Sequence, residues 1–120
     1  MPKDLAAFSA NLNTVAAQLA EQILGWKHGQ GRFVQPGGGW CPDWRFQPFT
    51  KFEDAFRLLE KSASAYSLSL ASDGIFTAQV RVGSRTSRAS GTSRAATITV
   101  AVARATGLDV PNHLLEHQKP

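Results

Sequence analysis

An α+β fold follows from three features of the chain. Apolar residues recur at steps of three and four from Leu5 to Leu24 and again from about Thr50 to Ser62, and an alternating apolar pattern flanks Asp73-Gly74. The first two spacings are those of helices with one buried stripe; the alternation is that of two strands with one buried face. At 120 residues the chain has length for one domain, able to bury roughly two-thirds of its unfolded surface.

The first helix sets Leu5, Phe8, Leu12, Val15, Leu19 and Ile23 on its apolar stripe, with Asn11, Asn13, Gln18 and Glu21 largely elsewhere, and Gly25 supplies a stop. The stretch GWKHGQGRFVQPGGGWCPDWRFQPF is rich in glycine and proline yet carries three tryptophans. That mixture predicts a short strand pair or a structured loop, with strands near 26–28 and 32–35.

Thr50 stands three residues before Glu53, the spacing of a reciprocal capping box, so a second helix is expected to start near Thr50, with Phe52, Ala55, Phe56 and Leu59 keeping helical spacing up to about Ser62. Glu53 and Asp54 then complement the positive end of its dipole. Next, YSLSLASDGIFTAQVRV places Tyr66, Leu68 and Leu70 against Phe76, Ala78, Val80 and Val82 across Asp73-Gly74, the pattern of a hairpin. The last stretch, TITVAVARATG, satisfies both periods. Ile98, Val100 and Val102 alternate as in a strand, whereas Ala95, Ile98, Val102 and Ala105 make a helical stripe ending at Gly107. Its β-branched residues favour a strand and its alanines and leading Thr92-Ser93 favour a helix, so the residues alone leave both open. One domain over 1–110 is expected, with a partly disordered tail over 111–120.

Thirteen Lys/Arg against nine Asp/Glu give a net charge of +4 and a pI near 9.7, which favours anionic partners: nucleotides, nucleic acid or acidic proteins. The single cysteine, Cys41, excludes an internal disulfide and suits a reducing compartment. The amino terminus lacks the basic-then-apolar layout of a signal peptide and no stretch is long and apolar enough to span a bilayer, so a cytoplasmic location is expected.

Two groups of residues carry the candidate chemistry. In GSRTSRASGTSRAATITV, a helix opening at Thr92 or Ser93 would offer free N–H groups and Arg94 to a phosphate, with Arg81, Arg85 and Arg88 on the strand or loop leading there. The alternative is a polar connector kept soluble by its arginines. Trp40 and Trp44, on a Gly/Pro-rich segment, could stack a base or anchor a partner, while Trp26 reads as core. His28, Cys41 and Asp43 sit within one Gly-rich stretch without an oxyanion-hole motif, and these residues with His113 and His117 lack metal-site spacing. Neither catalytic residues, a metal nor a cofactor is therefore expected.

AEQILGWK, FTKFEDAFRLLEK and GTSRAATITVAVARATG together resemble the phage ABA sandwich domain, a family of small, largely uncharacterised bacteriophage and prophage proteins. Leu24-Gly25-Trp26 stands where that family has MGW, Thr50 to Phe56 where it opens its second helix, and Thr92 to Ala105 where it has its terminal helix. The likeness runs from about residue 19 to 107. Thr99 replaces the family's cysteine in the last helix and Gly91 its acidic residue before that helix. The resemblance implies a helical terminal segment and a small antiparallel sheet sandwiched between helices, in the order α-β-β-α-β-β-α. It supplies no catalytic set.

These readings combine into an expected function: a non-enzymatic phage protein that sequesters a phosphate-bearing nucleotide as a counter-defence device, and that forms a homo-oligomer. The rivals are a protein-directed inhibitor of a host defence complex or nuclease anchored by Trp40 and Trp44, and a weak nucleic-acid binder using its basic edge.

Overall fold

The computed structural model describes residues 13–108 and residue 110. Leu5, Phe8 and Leu12 of the first helix, together with the tail 111–120, lie outside the described residues. Helix α1 covers 13–24 and widens into a π-turn over Ala20–Leu24. Gly25 ends it in the left-handed region at φ 73°, and the N–H groups of Gly25 and Trp26 both reach the Ala20 carbonyl. Strands β1 (Lys27–Gly29), β2 (Arg32–Val34) and β3 (Trp40–Pro42) form one antiparallel sheet, followed by a 3-10 turn over Asp43–Arg45. Helix α2 (Phe52–Ser62) leads to a second antiparallel sheet of β4 (Ala65–Leu70), β5 (Phe76–Val82) and β6 (Arg85–Gly91), and helix α3 (Arg94–Ala105) follows. The α+β class is the one the sequence predicts, and the order helix, strands, helix, strands, helix is the one the resemblance implies. Among the described residues the strands number six, in two sheets, where the sequence marks four.

Helix α3 is the centre of the molecule. Ten of its twelve residues are buried, and it packs against β5 and β6 on one side and α2 on the other. A helix apolar all round must be covered all round, which is also why its sequence shows no single stripe. Ser93 caps it, accepting the Ala96 N–H at 3.2 Å. Paired strand residues share a face, so the rows Tyr66–Val80–Ser87, Leu68–Ala78–Ala89 and Leu70–Phe76–Gly91 all look toward the helices. On β6 that row is Ser87, Ala89 and Gly91, all small, and α3 sits close enough for the Ser87 hydroxyl to donate to the Ala101 carbonyl.

Three expectations need correction. The stretch Arg85–Gly91 is a strand, not a loop, because close approach of α3 selects small inward residues and erases the apolar alternation that would announce it. Trp40–Pro42 is also a strand, paired with β2 through Phe33↔Cys41 despite the glycines before it. The capping box at Thr50 does not form. The chain turns at Gln47, whose carbonyl takes the N–H groups of Thr50 and Lys51, so the Thr50 hydroxyl faces that turn, 3.5 Å from the same oxygen. Lys51 becomes the N-cap without a side-chain bond, and Asp54 instead accepts the Gln47 N–H at 2.9 Å.

Two buried threonines of α3 make a paired test. Thr99 donates to the Pro48 carbonyl at 2.6 Å and so ties the 46–49 segment to the helix, whereas the Thr97 hydroxyl is buried with no hydrogen-bond partner. Thr99→Val is expected to cost about 1–3 kcal/mol by stranding a buried carbonyl, and Thr97→Val to be neutral or stabilising. Thermal denaturation of both variants checks the contrast.

Candidate functional site

Where β5 turns into β6, the hairpin tip meets the carboxyl ends of α2 and α3 and the end of α1, and a cleft of about 570 Å³ opens between them. Among the described residues Lys61 and Arg85 are its charged lining groups, and no carboxylate of those residues lines it. Gln22, Ser62, Ser84 and Thr106 supply amide and hydroxyl groups; Ile23, Val82 and Ala105 supply an apolar wall. Arg85 passes beside Gly107, where an added Cβ would lie 3.6 Å from its guanidinium and where φ is +99°.

Three helix carboxyl ends, those of α1, α2 and α3, contribute about half a negative charge each, less in sum than the two cations carry. Some of the carbonyls near these ends are moreover bonded already. Leu58 O accepts from the Ser62 hydroxyl at 2.7 Å, Leu59 O from the Ala63 N–H at 2.9 Å, and Ala103 O from the Thr106 hydroxyl at 2.8 Å. Among the described lining groups the two cations therefore outweigh the helix ends.

The residues marked in the sequence separate into three places. Arg85 lines the cleft. Arg81 and Arg88 stand on the opposite, open face of the second sheet, in the rows Ala65–Arg81–Thr86 and Ser67–Gln79–Arg88, beside Ser69–Thr77–Ser90. Arg81 also donates to the Gly83 carbonyl at 3.2 Å. Thr92, Ser93 and Arg94 lie at the far end of β6, roughly 20 Å along a seven-residue strand from Arg85. There the Ser93 hydroxyl serves its own helix and the Arg94 guanidinium sits 6.0 Å from the Phe76 ring centroid. The arginines do not converge on the amino end of α3.

The first sheet divides its aromatics. Trp26, Phe33 and Phe46 are buried with ring centroids 5.3–5.7 Å apart, closing a small core beneath it. Trp40 and Trp44 are 59% and 63% exposed, with the Arg32 and Arg45 guanidinium groups 5.3 and 5.8 Å from their ring centroids. His28 and Asp43 pair at 3.2 Å, while Cys41 stands across Phe33 from His28 on the third strand, so the three do not form a nucleophilic set. Among the described residues no three His, Cys, Asp or Glu side chains gather as a metal site, and no helix is long and apolar enough to cross a membrane. His113 and His117 lie outside the described residues.

Lys61, Gln22, Arg32 and Arg45 are functional candidates that sequence reasoning passes over. Lys61 reads as a cation complementing the last turn of its own helix, and only the meeting of three elements turns it toward Arg85.

No protein-family model and no curated protein matches the chain. Its fold is similar to that of a solved structure, a phage protein from Bacillus cereus ATCC 14579, with a TM-score of 0.65 over 82% of this chain and 90% of that one. The two sequences are 12% identical, and the likeness is one of fold.

Two spectroscopic outcomes follow. In a Trp40→Phe, Trp44→Phe double variant the remaining Trp26 emission is expected to be blue-shifted and resistant to acrylamide, most of the quenchable signal having gone. Tyr66, the one tyrosine of the chain, donates to Glu60 at 3.1 Å. That bond, with some burial and the carboxylate charge, raises the phenol above its usual 10.0. Glu60→Gln is expected to bring the tyrosinate absorbance titration back to lower pH; an unchanged midpoint would refute the contact.

Proposed function

We propose that the protein is a non-enzymatic, phage-encoded binding protein that sequesters a phosphate-bearing nucleotide. The observation that carries this reading is the cleft at the β5–β6 tip. Its volume suits a small organic ligand, its charged lining groups are both cations, and its apolar wall offers a surface for a base or sugar. Arg85 can present two N–H donors to one phosphate while Lys61 acts as a point charge beside it. The Ser84 hydroxyl lies on the same rim, while those of Ser62 and Thr106 already donate to helix carbonyls. Phage origin is supported by the likeness in fold to a phage protein, and a small basic protein of that origin fits a counter-defence role in the host cytoplasm.

A second reading has its own support. Trp40 and Trp44, each exposed beside an arginine, have the composition of an interface hot spot, which favours a protein-directed inhibitor of a host defence complex or nuclease.

A thermal-shift screen against mono-, di- and cyclic nucleotides, with short single- and double-stranded DNA and RNA at two salt concentrations, separates the readings. One nucleotide at a hundredfold excess over its Kd is expected to stabilise the protein by about 2.7 kcal/mol, and Arg85→Glu or Lys61→Glu to abolish the effect while Trp40→Ala leaves it. A shift produced only by polynucleotides, steeply salt-dependent and lost in Arg81→Glu and Arg88→Glu, would place binding on the open sheet face instead. No shift with any probe would overturn the nucleotide reading and leave the tryptophan surface as the candidate.

A further inference from the structure

Among the described residues strand β4 is an edge, paired with β5 alone, and nothing along it discourages a further strand. Its sequence, AYSLSL, holds no charge and no proline, the usual guards of an exposed edge. Strand β6, the other edge, carries Arg85 and Arg88.

The side chains of β4 also overhang the helical layer. Tyr66, Leu68 and Leu70 point to the helix side of the sheet, yet α3 lies over β5 and β6, leaving Tyr66 and Leu70 42% and 54% exposed. Beside them Phe52 and Phe56 of α2 stack with centroids 5.5 Å apart, and Phe56 meets Tyr66 edge-on at 6.1 Å. An aromatic strip thus runs from α2 onto an open strand with no layer of the described residues above it.

We infer that a second copy of this chain fills that position, pairing β4 with β4 of its twin about a two-fold axis. The antiparallel pair joins two three-stranded sheets into one of six strands and sets the two aromatic strips against each other. A strand edge is self-complementary under a two-fold, since each copy offers the same row of donors and acceptors that it accepts. The charges around the strip point to the same occupant. Glu53, Arg57, Glu60 and Lys61 flank Phe52 and Phe56 and sum to zero, in a chain that is otherwise net +4. A balanced rim matches its own copy better than the acidic partner that the rest of the surface attracts.

Sedimentation velocity of the full chain over a range of concentrations tests this. The expected species is a dimer of about 26 kDa, twice the 13.0 kDa chain, converted to monomer by Leu70→Arg and by Phe52→Arg with the far-ultraviolet spectrum retained, and left intact by Trp40→Ala. Hydrogen exchange on the unmodified protein reads the same interface without a substitution: amides of 65–70 are expected to gain protection as concentration rises through the dimerisation range. A monomer at every concentration, a dimer that survives both arginine variants or breaks only in Trp40→Ala, or exchange at 65–70 that does not change with concentration would each overturn the inference.

Discussion

The burial of α3 is the constraint on which the rest of the structure depends. Ile98, Val100 and Val102 are shielded from water together with Ala95, Ala96, Ala101 and Ala103, so no side of this helix can be left to solvent. One side is met by the second sheet, another by α2 and a third by the 46–49 segment, which Thr99 fastens through the Pro48 carbonyl. Each partner accepts a geometric cost for this. Strand β6 gives up large inward residues, and β5 retains them at Phe76 and Val80, where there is room at the flank of the helix. Small residues let backbones approach until a side chain such as Ser87 can bond a helix carbonyl directly.

The surfaces of functional interest follow from that arrangement. Helices α2 and α3 finish near one another because they pack together and both end where the β5–β6 hairpin turns. Their ends, with Lys61 and Arg85, frame a cationic cleft without any loop dedicated to it. The same placement leaves β4 beyond the reach of α3, its tyrosine and leucines only partly covered. The first sheet is organised separately around Trp26, Phe33 and Phe46, and its outward tryptophans lie on a different part of the surface from the cleft. One chain therefore displays a concave cationic surface, an aromatic strand edge and a tryptophan-arginine face, each suited to a different kind of contact.

Local patterns in the sequence were readable wherever one side of an element meets water. The hairpin across Asp73-Gly74 forms with the expected facing rows, and the Asp73 carboxylate takes the Ile75 N–H at 3.0 Å while Gly74 adopts φ 88°. Helix α2 and the stop at Gly25 follow for the same reason: a half-buried element must alternate, and a left-handed residue must be tolerated. Trp26 and the exposed Trp40 and Trp44 also divide as their surroundings suggest.

What the sequence could not decide was set by contacts between distant residues. Whether 94–105 is helix or strand depends on being enclosed on every side, a condition that removes periodicity from the sequence. Strand β6 is invisible for the complementary reason, its inward row being small to admit that helix. The arginine-rich stretch shows its charge in one dimension, but a strand sends alternate side chains to opposite faces and carries its two ends roughly 20 Å apart. Arg85 thereby joins Lys61, more than twenty positions away in sequence, while Arg88 faces the open side and Arg94 the other end. Composition and local periodicity determine that this is a basic α+β chain with two half-buried helices and a hairpin. Which of its cations share a site is a property of packing alone, because charge carries no local signature of its neighbours in space.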